Sequence, residues 1–283
     1  MAVKITINQK KLRGDSDILG RSTRSKLSGR SVVFSIYIQL GRGGPKQKGR
    51  IVAGGALVYD KTMTRSRQMP TDDIAAFFAK LAETDPAPRT ELAYKNHFTL
   101  LVAVVLSAQA TDIGVNRATK DLFKKADNAK KMVALGEAKI RDAVKTIGLY
   151  RNKAKNVFLL SQKLLADYDG QVPATMEELL ALPGVGRKTA NVVMNEAFGI
   201  ATFAVDTHVF RLSNRSGLAP GKDVLAVEKK LGKKVPEPYR MHAHHWLILH
   251  GRYVCLARKP KCHICPVYDY CRFKDKEKIK DMI

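Results

Sequence analysis

The chain has 283 residues, 45% of them hydrophobic, which is enough to bury a core in two lobes plus an extra segment and excludes a wholly disordered protein. Fifty Lys and Arg against 26 Asp and Glu give a formal charge of +24, which favours nucleic acid as the partner. No membrane-spanning helix is expected, because the longest apolar stretch, Leu100 to Leu106, is far shorter than the roughly 20 residues that span a bilayer.

Residues 1–68 form a basic N-terminal extension with 15 Lys and Arg against three Asp. Its two apolar segments, Val32 to Leu40 and Ile51 to Tyr59, are candidates for a hairpin. An isolated two-stranded ribbon is only marginally stable in water, so we expect this extension to be poorly ordered. The Arg- and Ser-rich start also resembles an organelle transit peptide, and Met69 is an alternative start site. The sequence leaves these interpretations open.

From Thr71 onward the pattern predicts helices separated by short Gly, Pro or Asp turns. The segment TDDIAAFFAKLAET repeats apolar residues at helical spacing. Further helices are predicted over His97 to Gln109, Asp112 to Lys124, Met132 to Leu135, Glu137 to Thr146, Lys153 to Asp167, Met176 to Ala181, Arg187 to Phe198, Thr207 to Ser213, Val224 to Leu231 and Met241 to Cys255. No comparable set of alternating strands follows residue 69, so the body is predicted to be a compact all-α bundle.

The stretch LPGVGRKTANVV, Leu182 to Val193, predicts a helix-hairpin-helix. Gly184 and Gly186 allow the backbone to approach a ligand closely, and the next helix begins with unpaired amides at its positive dipole end. Such a loop binds a phosphate without reading base sequence. Because Arg187 and Lys188 follow in a strongly basic chain, we favour this interpretation over an ordinary tight turn.

Lys188 and Asp206 are the candidate catalytic pair. The helix dipole disfavours an ammonium in the first turn of a helix, so part of the Lys188 population would be a neutral nucleophile. Asp206 immediately precedes a predicted helix in FAVDTHVFRLSNR, and this position predicts that it is the N-cap residue of that helix. A capping carboxylate that faces a cleft can also stabilise a positively charged sugar or activate an attacking amine.

All four cysteines lie near the carboxyl end with the spacing C-x6-C-x2-C-x5-C: Cys255, Cys262, Cys265 and Cys271. Four clustered thiolates predict a metal site, either tetrahedral zinc or a cubane iron-sulfur cluster. A zinc ribbon usually has two C-x2-C pairs, and only one is present here. Four of the seven histidines lie in MHAHHWLILHGRY, where we expect packing and hydrogen bonding rather than metal ligation.

Taken together, these motifs strongly resemble the endonuclease III family of helix-hairpin-helix DNA glycosylases. The resemblance runs from about Pro70 to Phe273 and includes LSAQATD, TIGLYRNKA, LPGVGRKTA, VDTHVFR and the four-cysteine tail. It implies a two-lobed all-α fold, with a six-helix barrel lobe over residues 90–200. Residues 69–89 and 201–283 would form the second lobe, in which the four cysteines hold a [4Fe-4S] cluster.

The same resemblance implies a bifunctional DNA glycosylase and AP lyase that excises oxidised pyrimidines in base excision repair. Lys188 would attack C1′ of the damaged nucleotide with help from Asp206, and a Schiff base followed by β-elimination would cut the strand. Gln109 would hydrogen-bond to the orphaned base and Leu149 would wedge into the stack. The rigid loop between the cysteine ligands would place Arg258, Lys259 and Lys261 on the DNA backbone.

Two other functions are considered. An adenine-mismatch glycosylase shares the hairpin and the cluster but attacks with water, which the presence of Lys188 argues against. A non-catalytic DNA-binding protein would use only the hairpin and the basic surface. The expected partner is double-stranded DNA with a damaged base or an abasic site. We expect a monomer in the bacterial cytoplasm, associated with the nucleoid, with organelle targeting left open.

Overall fold

The computed structural model describes residues 34–39, 46–51 and 57–59 as backbone strands and residues 68–280 in full. The chain divides into two units, Met1–Thr64 and Arg65–Ile283. The expectation of poor order in residues 1–68 lies, apart from the three strands, outside the described residues.

The first unit contains a three-stranded antiparallel sheet in the order β1-β2-β3. Strands β1 (Phe34–Gln39) and β2 (Lys46–Ile51) pair with Phe34 opposite Ile51, and β3 (Leu57–Tyr59) pairs with the end of β2. This differs from the expected hairpin, because the partner of β1 is the polar segment KQKGRI. Because KQKGRI has no alternation of apolar residues, its sequence did not indicate a strand. Pairing β1 with this segment closes a shorter loop than pairing β1 with Ile51 to Tyr59, and a shorter loop loses less conformational entropy.

The second unit is helical, and no strand occurs within residues 68–280, which confirms the all-α prediction for the body of the chain. Its helices are α1 (Thr71–Thr84), α2 (His97–Ser107), α3 (Asp112–Thr119), α4 (Leu122–Lys125), α5 (Ala129–Leu135), α6 (Glu137–Ala143), α7 (Tyr150–Asp167), α8 (Met176–Leu180), α9 (Arg187–Phe198), α10 (Thr207–Ser216), α11 (Val224–Lys234), α12 (Arg240–Tyr253) and α13 (Lys276–Lys280). None of these helices has the length and the apolar character needed to cross a membrane.

The predicted helix boundaries hold in several places and fail in others. The helix Arg187–Phe198 has the predicted ends. The single helix predicted over Asp112 to Lys124 is wrong, since the structure contains α3 and α4. Near the break, the Thr119 hydroxyl donates to the Val115 carbonyl at 2.9 Å, a bond that often bends a helix. Helix α2 also ends before Gln109, whose left-handed backbone (φ 56°) cannot continue it.

Two hydrophobic clusters organise this unit. The first is built around α2, which is buried from Phe98 to Leu106 and is therefore apolar on every side. The second joins α1 to α10, α11 and α12, with Phe77 and Phe78 completely buried. The Trp246 indole in this cluster donates to the Asp85 carbonyl at 2.7 Å. Each cluster is large enough to hold its own helices in place.

Candidate active site

The turn before α9 has the geometry of an anion-binding loop. Gly184 has φ +78°, and a Cβ there would lie 2.9 Å from Asn156, so only glycine fits. At Gly186, the N-cap of α9, an added Cβ would meet nothing within 4 Å, so this side of the loop is open to a ligand. No side chain caps α9, which leaves its first amide groups available to an anion.

The guanidinium of Arg187 is committed to a contact within the protein. It forms a bidentate pair with Glu228 of α11, with the Nη2–Oε1 distance 2.7 Å and the Nε–Oε2 distance 3.0 Å. Arg187 was predicted to contact DNA. In the structure it ties the start of α9 to α11, while its exposed position beside Gly186 leaves the DNA contact as a prediction.

Lys188 and Asp206 meet in one cleft, although 18 positions separate them in the sequence. The Lys188 Nζ lies 3.7 Å from Asp206 Oδ2, and the lysine side chain is 54% exposed whereas the aspartate is 12% exposed. Asp206 Oδ1 accepts hydrogen bonds from the amides of His208 and Val209, at 2.8 and 2.9 Å, as the N-cap of α10. Asp206 Oδ1 therefore caps α10, and Asp206 Oδ2 faces the Lys188 amine.

The cleft contains about 1000 Å³ of empty space and is lined by residues from both hydrophobic clusters. Gly184, Gly186, Lys188 and Asp206 share this lining. A nucleophilic amine, a carboxylate and an anion-binding loop therefore open onto a space large enough for a nucleoside-sized group. Such a set can attack an electrophilic carbon and stabilise positive charge at it.

An ion cluster forms part of the cleft lining. Arg252 of α12 donates through Nη1 to Asp112 Oδ2 at 2.7 Å and also to Glu91 Oε2. The Tyr253 hydroxyl donates to the other oxygen of Glu91. Burial of Arg252 lowers its pKa, but the hydrogen bonds and negative charges of Asp112 and Glu91 outweigh this effect. The pKa of Arg252 is therefore raised. Arg252 is thus a permanent cation between two anions.

A second polar network forms the floor of the cleft. His245 lies 3.2 Å from Glu196 of α9, whose pKa is lowered by this hydrogen bond, and the Tyr94 hydroxyl donates to the same carboxylate at 2.8 Å. Burial, assisted by this bond, raises the pKa of Tyr94 to about 12. Burial also holds the pKa of His244 well below its ordinary value, so this ring is neutral. Of these two histidines, His245 is hydrogen-bonded to Glu196, whereas the Nδ1 atom of His244 is buried and has no hydrogen-bond partner among the described residues.

The loops that carry Gln109 and Leu149 contact each other at the edge of the cleft. A Cβ on Gly148 would lie 3.9 Å from the Gln109 carbonyl. Gln109 and Leu149 both have left-handed backbones, with φ 56° and 58°, although neither is glycine. Such conformations cost free energy and concentrate at functional sites. Leu149 is 58% exposed, so its side chain is accessible for contact with a ligand.

The four cysteines line a separate cavity of about 400 Å³ beside α10 and α12. None of the four is in a disulfide. Burial raises the pKa of Cys265 to about 12 and raises those of Cys262 and Cys271 as well. Four partly buried, clustered thiols ionise together only if a cationic centre compensates their charge, so the donor set fits an iron-sulfur cluster.

The loop between Cys255 and Cys262 projects its cations outward. Arg258, Lys259 and Lys261 are exposed, and Lys259 has a left-handed backbone with φ 48°. The loop is closed by a hydrogen bond from the Lys261 amide to the Val254 carbonyl at 2.9 Å. None of these three cations lines the cleft of Lys188, and Lys261 is among the residues that line the cysteine cavity.

Sequence reasoning missed four features of the cleft region. These are the Glu91–Arg252–Asp112 cluster, the Glu196–His245 pair, the neutral His244 and the exposed apolar side chain of Ile113. Ile113 is 75% exposed and follows Asp112 directly, close to the Gln109 loop. Asp112 lies in the motif LSAQATD and Arg252 in HGRY. These motifs were the only indication that the two residues matter, and nothing in the sequence indicates that they contact each other.

Two regions of the chain match known protein families. Residues 102–237 match the family described as HhH-GPD superfamily base excision DNA repair protein. Residues 255–271 match the iron-sulfur binding domain of endonuclease III.

Curated relatives agree with these matches. Endonuclease III of Rickettsia felis is 53% identical over 205 residues, which cover 72% of this chain and 96% of the relative. Endonuclease III of Escherichia coli K12 is 52% identical over 197 residues, covering 70% and 93%.

Solved structures give the same fold. A trapped endonuclease III–DNA covalent intermediate is 43% identical, with a TM-score of 0.69, and covers 75% of this chain and 99% of its own. A thermostable thymine-DNA glycosylase, 24% identical with a TM-score of 0.64 over 73% of this chain and 98% of its own, shares the fold.

Proposed function

Because this chain belongs to the endonuclease III family, the glycosylases and lyases of base excision repair, we propose that it removes oxidised pyrimidines and cuts the strand through Lys188. It is a DNA-binding repair enzyme of the helix-hairpin-helix fold and carries a [4Fe-4S] cluster. The observation that supports the assignment of Lys188 is the 3.7 Å approach of its amine to Asp206 in a common cleft.

In the first step the neutral Lys188 amine attacks C1′ of the extruded nucleotide. The new C1′–N bond forms as the glycosidic bond breaks, and the base leaves with the bonding electrons. Asp206 Oδ2 faces the amine, so it can accept a proton from the ammonium and stabilise the positive charge that develops on the sugar. Asp206 Oδ1 stays on the helix amides, which keeps the carboxylate oriented.

In the second step the sugar ring opens, breaking C1′–O4′, and leaves a protonated imine between C1′ and Lys188. The imine acidifies the C2′ proton. Removal of that proton expels the 3′ phosphate by β-elimination, and water then hydrolyses the imine to free the lysine. A water nucleophile could release a base but could not form this imine, which is why the adenine-mismatch alternative would not cut the strand.

The nucleotide must leave the helix before either step. Extrusion costs a few kcal/mol, and side chains must fill the vacated space. The exposed Leu149 and Gln109, on touching loops at the edge of the cleft, are placed to do this. The Gly184–Gly186 loop would bind a phosphate beside the extruded nucleotide, with Arg187 next to it.

The cluster lobe supplies a second contact with DNA. We assign residues 90–200 to the barrel lobe, and residues 69–89 and 201–283 to the cluster lobe, a division supported by the two hydrophobic clusters. Cys255, Cys262, Cys265 and Cys271 would hold the [4Fe-4S] cluster, which ties the ends of the loop that presents Arg258, Lys259 and Lys261 to the backbone. Base removal and elimination need no electron transfer, so the role assigned to the cluster is structural.

The test of this function uses a duplex with thymine glycol and a matched undamaged duplex. We expect free base, a cut strand and a covalent adduct after borohydride only with the damaged duplex. Release of base with an intact backbone and no adduct would support the monofunctional alternative instead. Preference for another damaged base would overturn the oxidised-pyrimidine assignment.

Replacing Cys265 with Ser should remove the cluster, because a hydroxyl does not replace a thiolate ligand. We expect loss of iron and of the visible absorbance of the cluster. The unfolding midpoint should fall by at least about 5 °C, since each 1 kcal/mol lost shifts it by a few degrees in a chain of this size. The matched control is Ile264→Ser, an exposed position in the same loop. Equal iron content in the two variants would contradict the ligand assignment.

Deleting residues 1–68 should leave specific cleavage intact but weaken binding to undamaged DNA. The deletion removes 15 Lys and Arg and three Asp but keeps Met69, which is buried and whose amide donates to the Gly217 carbonyl. The slope of log Kd against log salt should therefore flatten, because fewer counterions are released. Failure of the shortened chain to fold would contradict the assignment of this segment as an extension.

We further propose that the enzyme acts as a monomer on duplex DNA with a damaged base or an abasic site. The cleft is complete within one chain, since Lys188, Asp206 and the hairpin all line it. The proposed location is the bacterial cytoplasm with the nucleoid. Sedimentation of the protein alone and with DNA tests the stoichiometry.

A further inference from the structure

Removal of the C2′ proton in the second step requires a base other than Lys188 and Asp206. The Lys188 nitrogen is part of the protonated imine at that stage, so it has no lone pair to offer. Asp206 Oδ2 accepts the lysine proton in the proposed first step, and Oδ1 is engaged with the amides of His208 and Val209. The other ionisable side chains that line the same cleft are therefore the candidates.

Two carboxylates and one histidine of the cleft lining are poorly suited to this role. Glu91 and Asp112 both accept hydrogen bonds from the Arg252 guanidinium, which makes them weak bases. His244 is only 2% exposed, and its Nδ1 atom is buried. Burial also holds the pKa of His244 well below its ordinary value, so the protonated form of this ring is unfavourable in its site.

His245, the next residue of α12, has a carboxylate partner. Its Nε2 lies 3.2 Å from Glu196 Oε2, and the Tyr94 hydroxyl donates to Glu196 Oε1 at 2.8 Å. The hydrogen bond from His245 lowers the pKa of Glu196 in spite of burial, so this carboxylate is anionic and can only accept. The neutral His245 ring therefore carries its proton on Nε2 and has a lone pair on Nδ1.

The Nδ1 atom of His245 is available to a ligand in the cleft. Among residues 68–280 the structure records a hydrogen-bond partner for Nε2 of this ring and none for Nδ1. The side chain is 8% exposed and lines the cleft that contains Lys188. A proton taken up at Nδ1 would create an imidazolium beside the Glu196 carboxylate, which would stabilise it. Enzymes that use histidine as a general base have the same carboxylate–imidazole arrangement.

We propose that His245 is the catalytic base that removes the C2′ proton in β-elimination, and that Glu196 positions and activates it. This inference rests on the proposed function. The C2′–H bond breaks, its proton moves to Nδ1, and its electron pair forms the C2′–C3′ double bond. The C3′–O bond breaks in turn, and the 3′ phosphate leaves with the electrons of that bond. Imine formation precedes these events and needs no proton acceptor at His245.

The experiment separates imine formation from the elimination that follows it. Single-turnover reactions on an abasic duplex, labelled at the 3′ end of the damaged strand, are stopped with and without borohydride. A trapped adduct retains this label only if elimination has not occurred, and a parallel sample with a 5′ label measures total adduct. For His245→Gln we expect adduct with the 3′ label to accumulate. The cleavage rate should fall at least about 10²-fold, as for the loss of a general base, while total adduct formation changes less than about threefold.

Glu196→Gln tests the positioning role with a side chain of the same size. Its amide can accept from Nε2 or donate to it, so the tautomer with a lone pair on Nδ1 is no longer fixed. The imidazolium also loses its counter-charge. We expect cleavage to slow at least about tenfold with total adduct formation unchanged. The adduct itself reports folding, because only a folded protein with an active Lys188 forms it.

The matched control is His242→Gln. His242 lies on the same helix outside the cleft, where its ring packs against Trp246 with centroids 5.7 Å apart, so neither rate should change. Cleavage at the wild-type rate in His245→Gln would overturn the proposal. Equal losses of adduct and cleavage in His245→Gln and Glu196→Gln would also overturn it, because the pair would then only support the fold. Failure of the proposed function is distinct, since the wild-type protein would then form no adduct on the abasic duplex.

Discussion

The variant Lys188→Gln is expected to lose base release, strand cleavage and covalent trapping together. Its amine is the proposed nucleophile in the first step and the proposed imine nitrogen in the second, so no partial reaction would survive. We expect single-turnover rates on thymine glycol and on abasic DNA to fall by at least about 10³-fold, as when other enzymes lose a nucleophile. Quenched time courses with and without borohydride measure all three losses.

The fold should tolerate this change. Lys188 is 54% exposed, and its contact with Asp206 is an accessible pair at 3.7 Å, so its contribution to stability is small. DNA affinity on an uncleavable abasic analogue should fall only modestly. The control is Lys131→Gln, which removes a lysine of comparable exposure, 55%, paired with Asp127 at the start of α5. Persistence of the adduct in Lys188→Gln would move the nucleophile to another amine and end the proposed mechanism.

Asp206→Asn is expected to separate catalysis from folding. Asparagine is as good an N-cap as aspartate, so its side-chain oxygen can still accept from the amides of His208 and Val209. The charge facing Lys188 disappears, and with it the proton acceptor and the stabilisation of a cationic sugar. We expect turnover to fall about 10²- to 10⁴-fold, the usual range for losing an acid or base. Affinity for an abasic analogue should remain close to that of the wild type.

A second substitution distinguishes the two roles of Asp206. Asp206→Ala removes the cap as well as the charge and should cost roughly 1 kcal/mol of stability in addition to the activity. Asp223→Asn is the matched control, because Asp223 caps α11 through the Ala226 amide at 2.8 Å and does not line the cleft. Turnover of Asp206→Asn equal to that of this control would remove Asp206 from the mechanism.

Local patterns were enough to predict a metal site and to recognise the family of this chain. The cysteine spacing predicted the metal site, and the family resemblance, now confirmed, identified it as an iron-sulfur centre. The hairpin sequence placed the start of α9 at Arg187, as found. The roles of Lys188, Asp206, Gln109 and Leu149 stay predictions, although the structure puts the first two in one cleft and the last two on touching loops.

Local patterns failed where the backbone departs from regular geometry. The sequence extended α2 through Gln109 and began the next long helix at Lys153, whereas the structure ends α2 at Ser107 and begins α7 at Tyr150. Gln109 and Leu149 adopt left-handed conformations next to these ends. Nothing in their residue types requires this, since the surrounding packing imposes it.

By itself the sequence determined the basic charge and the positions of most helices, and it predicted the phosphate-binding turn and the cysteine ligands, because each depends on residues within a few positions of one another. Only the tertiary structure decided that Arg252 lies between Glu91 and Asp112, 161 and 140 positions away. It also decided that Glu196 of α9 meets His245 of α12. Such contacts depend on how helices cross and on which faces they bury, and spacing along the chain does not record either.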